Sequence, residues 1–255
     1  MPDMRRSSEL LSDRELTRYH RQMILPGWGI EAQERLKRSC IAVVGTGGLG
    51  SPVSIYLAVA GFGRIILADM DKVELSNLNR QTLHWEEDIG VPKVFSAAAK
   101  LRRINPDVEI IPIPREITLE NVDDLLGEAD GIVDALDNVQ GRYVLNDFVL
   151  RREIPLFHGA VWGLEGRATT LLPGRTPCLR CLIPEPPPSE VFPVVGTTPG
   201  LIAMIQATEA IKYFTGIGRI LAGEMLIYDG ERMDFTKVQL SYLPDCPACG
   251  GRRER

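Results

Sequence analysis

Two hydrophobic rhythms alternate along most of this chain. Short runs of apolar, largely β-branched residues recur at 41–45 (IAVVG), 64–68 (RIILA), 108–113, 131–135 (GIVDA) and 155–157. Runs of this length, bounded by glycine, proline or polar residues, predict strands buried on both faces. Between them, 51–60, 94–104, 119–126 and 142–152 have helical spacing. Pro52 suits the first turn of its helix, where a missing N–H costs little. Ahead of this region, residues 12–38 predict two helices parted by Pro26-Gly27, the first opened by a Ser12/Glu15 capping box. Strand–helix alternation from about 40 to 160 predicts a Rossmann-like α/β fold, a doubly wound and mostly parallel sheet with helices on both faces.

The rhythm changes after 160. Residues 167–172 predict a strand, and the proline-rich stretch 173–200 a long loop. Thr198-Pro199 is expected to cap a helix running to about Phe214 and stopped by Gly216. Strands near 224–228 and 235–240, expected to be antiparallel, close the chain. No internal repeat is visible. The expectation is one domain within 1–255, spanning about 10–250. Its parts are N-terminal helices over 12–38, a core over 40–160 and a decorated C-terminal part over 161–250.

Composition narrows the function classes. The 44% hydrophobic and 25% charged fractions fit a folded protein. A net charge of -5 argues against a nucleic-acid partner. No apolar run approaches the roughly 18 residues a membrane span needs. The N-terminus has two arginines but no apolar run behind them, so it is not a secretory signal and a cytoplasmic location is expected.

Candidate chemistry begins at Gly45-Thr-Gly47-Gly48-Leu-Gly50, between a predicted strand and a predicted helix. Glycines let the backbone turn tightly and approach a phosphate, and the helix N-terminus attracts its charge. Asp69, ending the next strand, is placed to bond a ribose hydroxyl. By itself this pattern fits a nicotinamide dinucleotide as well. The following polar segment supplies further candidate nucleotide contacts in Asp71, Ser76, Asn77, Asn79, Arg80 and Gln81, and Gly90-Val-Pro92-Lys93 then opens a helix. Fixed cations such as Arg80 and Lys93 suit a triphosphate that loses pyrophosphate, and hydride transfer has no such need. The strand 131–135 runs into Asp134-Ala-Leu-Asp137-Asn138 at the crevice edge. Asp137, with Asn138 beside it, is the magnesium candidate. Asp134 is expected to bond its own backbone instead.

Four of the five cysteines form two C-x-x-C pairs, Cys178/Cys181 and Cys246/Cys249. Four thiolates suit structural zinc, here as a staple between the long loop and the C-terminus. Cys40 is expected to be a buried structural thiol. His20, His84 and His158 are expected to be structural. The loop 184–193 is expected either to cover an acyl channel or to serve as a stiff connector.

The segments GTGGLGS, ADMDKVELSNLNRQ, GVPK and DALDN, the two C-x-x-C pairs and RYHRQMILPGWG at 18–29 together resemble the adenylating enzymes related to ubiquitin-activating enzymes, particularly the MoeB/ThiF (ThiF/MoeB/HesA) group. The likeness covers about residues 10–250. It implies that ATP and a carboxylate give an acyl-adenylate and pyrophosphate. The usual substrate is the C-terminal Gly-Gly tail of a small ubiquitin-like sulfur-carrier protein. By position, Gly48 lies over the phosphates, Asp69 binds the ribose, Asn77, Arg80 and Lys93 contact phosphates, and Asp137 handles magnesium. Arg21 matches an arginine that reaches the partner subunit's ATP, which implies a homodimer. Many relatives carry a further cysteine between the first pair and the next helix. Residues 182–200 have none here, so the reaction is expected to stop at the acyl-adenylate. The alternatives are a small-molecule or peptide carboxylate, an NAD-dependent oxidoreductase on the same fold, and an inactive nucleotide-binding scaffold.

Overall fold

Successive side chains of a strand point to opposite faces, and all five residues of β1 (Cys40–Val44) are buried. Ile41 and Val43 enter one core, and Cys40, Ala42 and Val44 enter another. A strand buried on both sides needs helices on both sides, which is what the computed structural model shows. It describes residues 10–185 and 193–250. The first core packs under α2 (Gly29–Arg38), α3 (Gly50–Ala60), α4 (Lys93–Ile104) and α8 (Thr197–Thr215). The second lies under α5 (Val122–Leu126), α6 (Val139–Arg152) and the short α7 (Leu179–Leu182).

Among the described residues the strands form one eight-stranded sheet in the order β3-β2-β1-β4-β5-β6-β7-β8. β2 (Arg64–Ala68), β3 (Glu109–Ile113), β4 (Gly131–Asp134) and β5 (Leu156–Trp162) run parallel to β1. β6 (Glu165–Leu171), β7 (Glu224–Asp229) and β8 (Asp234–Gln239) continue the sheet antiparallel. Both the parallel core and the antiparallel C-terminal strands are as the sequence predicts. From β1 the chain winds out through β2 and β3, then returns to β4 on the other side. At that reversal a crevice opens beyond the C-terminal ends of β1 and β4.

α1 (Asp13–Met23) carries the expected capping box, Glu15 N donating to Ser12 Oγ at 3.3 Å and Ser12 N to Glu15 Oε2 at 3.1 Å. Five expectations need correction. α5 begins at Val122 rather than 119, after a turn in which Thr118 N donates to Asn121 Oδ1. α6 begins at Val139 rather than 142, because Asn138 is its N-cap. β5 runs on to Trp162, since β6 pairs with its whole length. Thr198 lies inside the first turn of α8 instead of capping it, and its hydroxyl donates to Gly163 O. The 173–200 stretch also holds α7. Most of the loop 184–193 lies outside the described residues. No described helix is long and apolar enough to cross a membrane.

Candidate active site

The crevice is a cleft of about 710 Å³ at the C-terminal ends of the parallel strands, a size suited to a nucleotide. One wall is the loop between β1 and α3. Gly45 has φ +92°, and a Cβ there would stand 2.5 Å from Ala135 O, so only glycine fits. At Gly50 a Cβ would stand 1.8 Å from Gly45 O, which explains a glycine that turns away from the cleft wall. Gly47 and Gly48 line the cleft itself. Asp69, at the end of β2, ties the loop down. Its Oδ2 accepts from Thr46 N at 2.7 Å and from Thr46 Oγ1 at 3.0 Å, while Oδ1 accepts from Asp71 N at 2.9 Å. The predicted ribose ligand is therefore also an anchor for the glycine loop.

The two predicted cations both face the cleft. Lys93 opens α4, and its Nζ pairs with Asp71 Oδ2 at 2.9 Å while its backbone N–H donates to Asp71 O. Bonds from Val73 N to Val91 O and from Gly90 N to Val73 O bring the two segments together. Arg80 Nη1 donates to Ser76 O and Asn79 Oδ1, both at 2.9 Å. Gln81 joins it on the wall. Ser76, Asn77 and Asn79 do not line the cleft. They form the turn beneath Arg80, where Asn77 Oδ1 accepts from Glu74 N at 3.1 Å. In this structure they position the arginine.

At the end of β4, Asp134 is fully buried, and its Oδ1 accepts from Leu136 N at 3.1 Å, the backbone bond expected of it. It also pairs with Arg142 Nε at 3.3 Å and His158 Nδ1 at 2.6 Å. Burial alone would raise its pKa, but the Arg142 charge and the His158 hydrogen bond outweigh that and lower it. Asp137, three residues on, is exposed on the cleft wall, where a carboxylate suits a hard cation beside phosphates. Asn138 also lines the cleft, but its Oδ1 is committed to Gly141 N at 2.8 Å as the cap of α6. Arg21 is exposed on α1 and is not on the cleft wall of its own chain.

Sequence reasoning missed Arg142, Arg115 and Trp162, all of which line the cleft. Arg142 Nη2 donates to Leu136 O at 2.5 Å and Gly159 O at 3.0 Å, holding the segment that presents Asp137. A signal was available: a cation near a helix N-terminus opposes the dipole unless a buried carboxylate holds it. Nothing in the pattern marks Arg115 or Trp162.

Away from the cleft, the Sγ atoms of Cys178, Cys181, Cys246 and Cys249 all lie within 4.8 Å of one another. The contacts between them measure 3.8, 3.7 and 3.5 Å. A tetrahedral zinc about 2.3 Å from each sulfur sets them about 3.8 Å apart, so the four residues fit the ion. Cys40 is buried, and burial pushes its thiol up to about 11, where it is inert at neutral pH.

Residues 19–248 match the ThiF family. This chain belongs to the ThiF family. The resemblance read from the motifs is thereby borne out. SAMP-activating enzyme E1 of Haloferax volcanii is 45% identical over 242 residues, 92% of this chain and 89% of that protein. Sulfur carrier protein adenylyltransferase of Thermus thermophilus is 44% identical over 247 residues, 92% of this chain and 91% of that protein. Among solved structures, E. coli MccB with MccA-N7isoASN superposes with a TM-score of 0.84 at 22% identity, over 98% of this chain and 77% of that one. That likeness is one of fold.

Proposed function

We propose that this ThiF-family protein is an ATP-dependent adenylyltransferase acting on the C-terminal glycine carboxylate of a small ubiquitin-like sulfur carrier. The observation that carries the reading is one cleft lined by the glycine loop, Arg80, Lys93 and Asp137. The names of the relatives supply the chemistry and the class of acceptor.

A carboxylate is a poor electrophile because oxide is a poor leaving group. One of its oxygens forms a bond to the α-phosphorus as the bond from that phosphorus to the bridging oxygen of pyrophosphate breaks. The products are acyl-adenylate and pyrophosphate. The carboxylate is itself the nucleophile, so no side-chain base is needed. Catalysis rests on alignment and on neutralising the charge that grows on the departing oxygens. Lys93 and Arg80 are the cations for that task. The loop N–H groups hold phosphate, and Asp69 retains lone pairs for the ribose. Asp137 would hold magnesium, which supplies further neutralisation of phosphate charge. The cysteine cluster would hold zinc in a structural role, and a cytoplasmic setting keeps its thiols reduced. We place Arg21 in the partner subunit's cleft, which makes the active form a homodimer of single-domain chains.

The test is carboxylate-dependent exchange of labelled pyrophosphate into ATP, comparing small proteins that end in Gly-Gly with small carboxylic acids. Exchange with a diglycine protein is expected. Exchange with small acids alone would move the acceptor to that class. Nicotinamide dinucleotide binding without exchange would replace the reading with an oxidoreductase.

A further inference from the structure

His84 is 3% exposed and lines no part of the cleft wall, yet both its ring nitrogens are engaged. Nε2 lies 2.9 Å from Thr46 O, and Nδ1 lies 2.9 Å from Ser96 Oγ. A carbonyl oxygen only accepts, so Nε2 carries the proton and Nδ1 accepts from the Ser96 hydroxyl. Ser96 Oγ accepts in turn from Lys100 Nζ at 3.0 Å, and Lys100 pairs with Asp88. One neutral tautomer satisfies every group in the chain.

The two ends of this relay belong to different halves of the site. Thr46 is the second residue of the glycine loop, and its N–H and hydroxyl are held by Asp69. Ser96 lies one turn after Lys93 on α4. Thr46 O also accepts from Ser51 Oγ at 2.9 Å, so loss of the imidazole would not orphan the carbonyl. What would be lost is the tie between the loop and α4.

We infer that His84 is a positioning residue that fixes the spacing between the phosphate-facing glycine loop and Lys93. The inference rests on the adenylation reading above and deepens it. Protonation of Nδ1 would turn it toward Ser96 Oγ as a second donor, alongside the Lys100 ammonium. Burial lowers the His84 pKa below the ordinary 6.5. The Thr46 carbonyl and Asp88 favour the cation, and Lys93 and Lys100 oppose it. A lowered native pKa means that the neutral relay is intact at pH 6.5 and above, and is lost as pH falls through the native value.

The test compares His84→Phe, His84→Gln and Ser96→Ala with the wild type. Binding of a non-hydrolysable ATP analogue is measured by calorimetry, and kcat and KM by pyrophosphate exchange. His84→Phe is expected to keep the wild-type circular-dichroism spectrum while nucleotide affinity and kcat each fall on the order of tenfold, the scale of a small misplacement at a reacting centre. His84→Gln, whose amide carries both a donor and an acceptor, is expected to recover most of both. Its kcat/KM for ATP should lack the acid limb that the wild type shows below pH 6.5. Ser96→Ala should show the same losses in milder form. Wild-type affinity and kcat in His84→Phe would overturn the inference, as would an unchanged acid limb in His84→Gln. Should His84→Phe fail to fold, wild-type affinity and kcat in Ser96→Ala would overturn it. Analogue binding is read separately from exchange. A wild type that binds nucleotide but never exchanges would remove the adenylation reading and leave the loop-to-helix tie measurable in the binding constants.

Discussion

Lys93 and Asp134 are both charged and enclosed, and their opposite partners give them opposite fates. The Lys93 side chain is 8% exposed, while its partner Asp71 is 55% exposed. Removing the lysine leaves a carboxylate that water can solvate, so stability should change little. Lys93→Ala is expected to lower pyrophosphate exchange on the order of a hundredfold or more, the scale of losing a preorganised charge. Thermal unfolding should stay close to wild type, and parallel loss of activity and stability would make the lysine structural. Asp134 is the reverse case, since Asp134→Asn would leave Arg142 buried without its carboxylate. Such a change costs about 3–5 kcal/mol at neutral pH. The Asp134 carboxyl is held below its ordinary 3.8, so its stabilisation is present above that value and lost as pH falls through the native one. The gap between wild type and Asp134→Asn should therefore narrow in acid, which denaturant unfolding at pH 7 and pH 3 can check. The structural reading of Asp134 was legible because it ends a strand, and its backbone bond to Leu136 N is the one expected. Asp137 and Lys93 were legible as candidates from the segments that carry them, but the partners Arg142 and Asp71 were not, because only the fold brings them near.

At the scale of elements, patterning was legible wherever a segment's own residues decide its state. β1 and β2 are continuous apolar runs because both their faces are covered, and α1 opens on a capping box complete within four residues. Boundaries set by distant partners were not legible. β5 extends to Trp162 only because β6 pairs with it. The early start of α6 is different, a local signal passed over: Asn138, directly ahead of the helix, serves as its cap. The two cysteine pairs are the clearest long-range signal in the chain. They join α7 to the C-terminal segment, which among the described residues lies beyond the last strand. Structural zinc contributes on the order of 10–16 kcal/mol in isolated small peptides. Here two separate cores are already built under the sheet, so if the cluster holds zinc, its loss should fray the staple locally. Treatment with a strong chelator is expected to speed amide exchange at 178–183 and 243–250 well before β1 and β4. Uniform acceleration across the sheet would show the cluster to be part of the global folding unit.

At the scale of the whole molecule, the cleft follows from topology, because a parallel sheet that reverses direction at β1 and β4 must open there. The expectation of a triphosphate there came from the glycine loop together with Arg80 and Lys93, and not from the loop alone. Arg21 is the residue that topology does not explain: it is exposed on α1, off the cleft wall of its own chain. If it completes the partner subunit's cleft, its role can be separated from folding by mixing two inactive proteins. In a mixed dimer of Arg21→Ala and Lys93→Ala subunits, the cleft of the Arg21→Ala subunit keeps its own Lys93. It receives Arg21 from the Lys93→Ala subunit. The other cleft lacks both residues. Random exchange between equal amounts makes half the dimers mixed, each with one complete cleft of two, so exchange activity should recover to about a quarter of wild type. An arginine acting within its own chain would leave every cleft in the mixture short of one residue, and no activity would return. Giving the two variants different affinity tags and recovering dimers that carry both would show whether subunits had exchanged, so silence from unmixed dimers cannot be mistaken for silence from incomplete clefts.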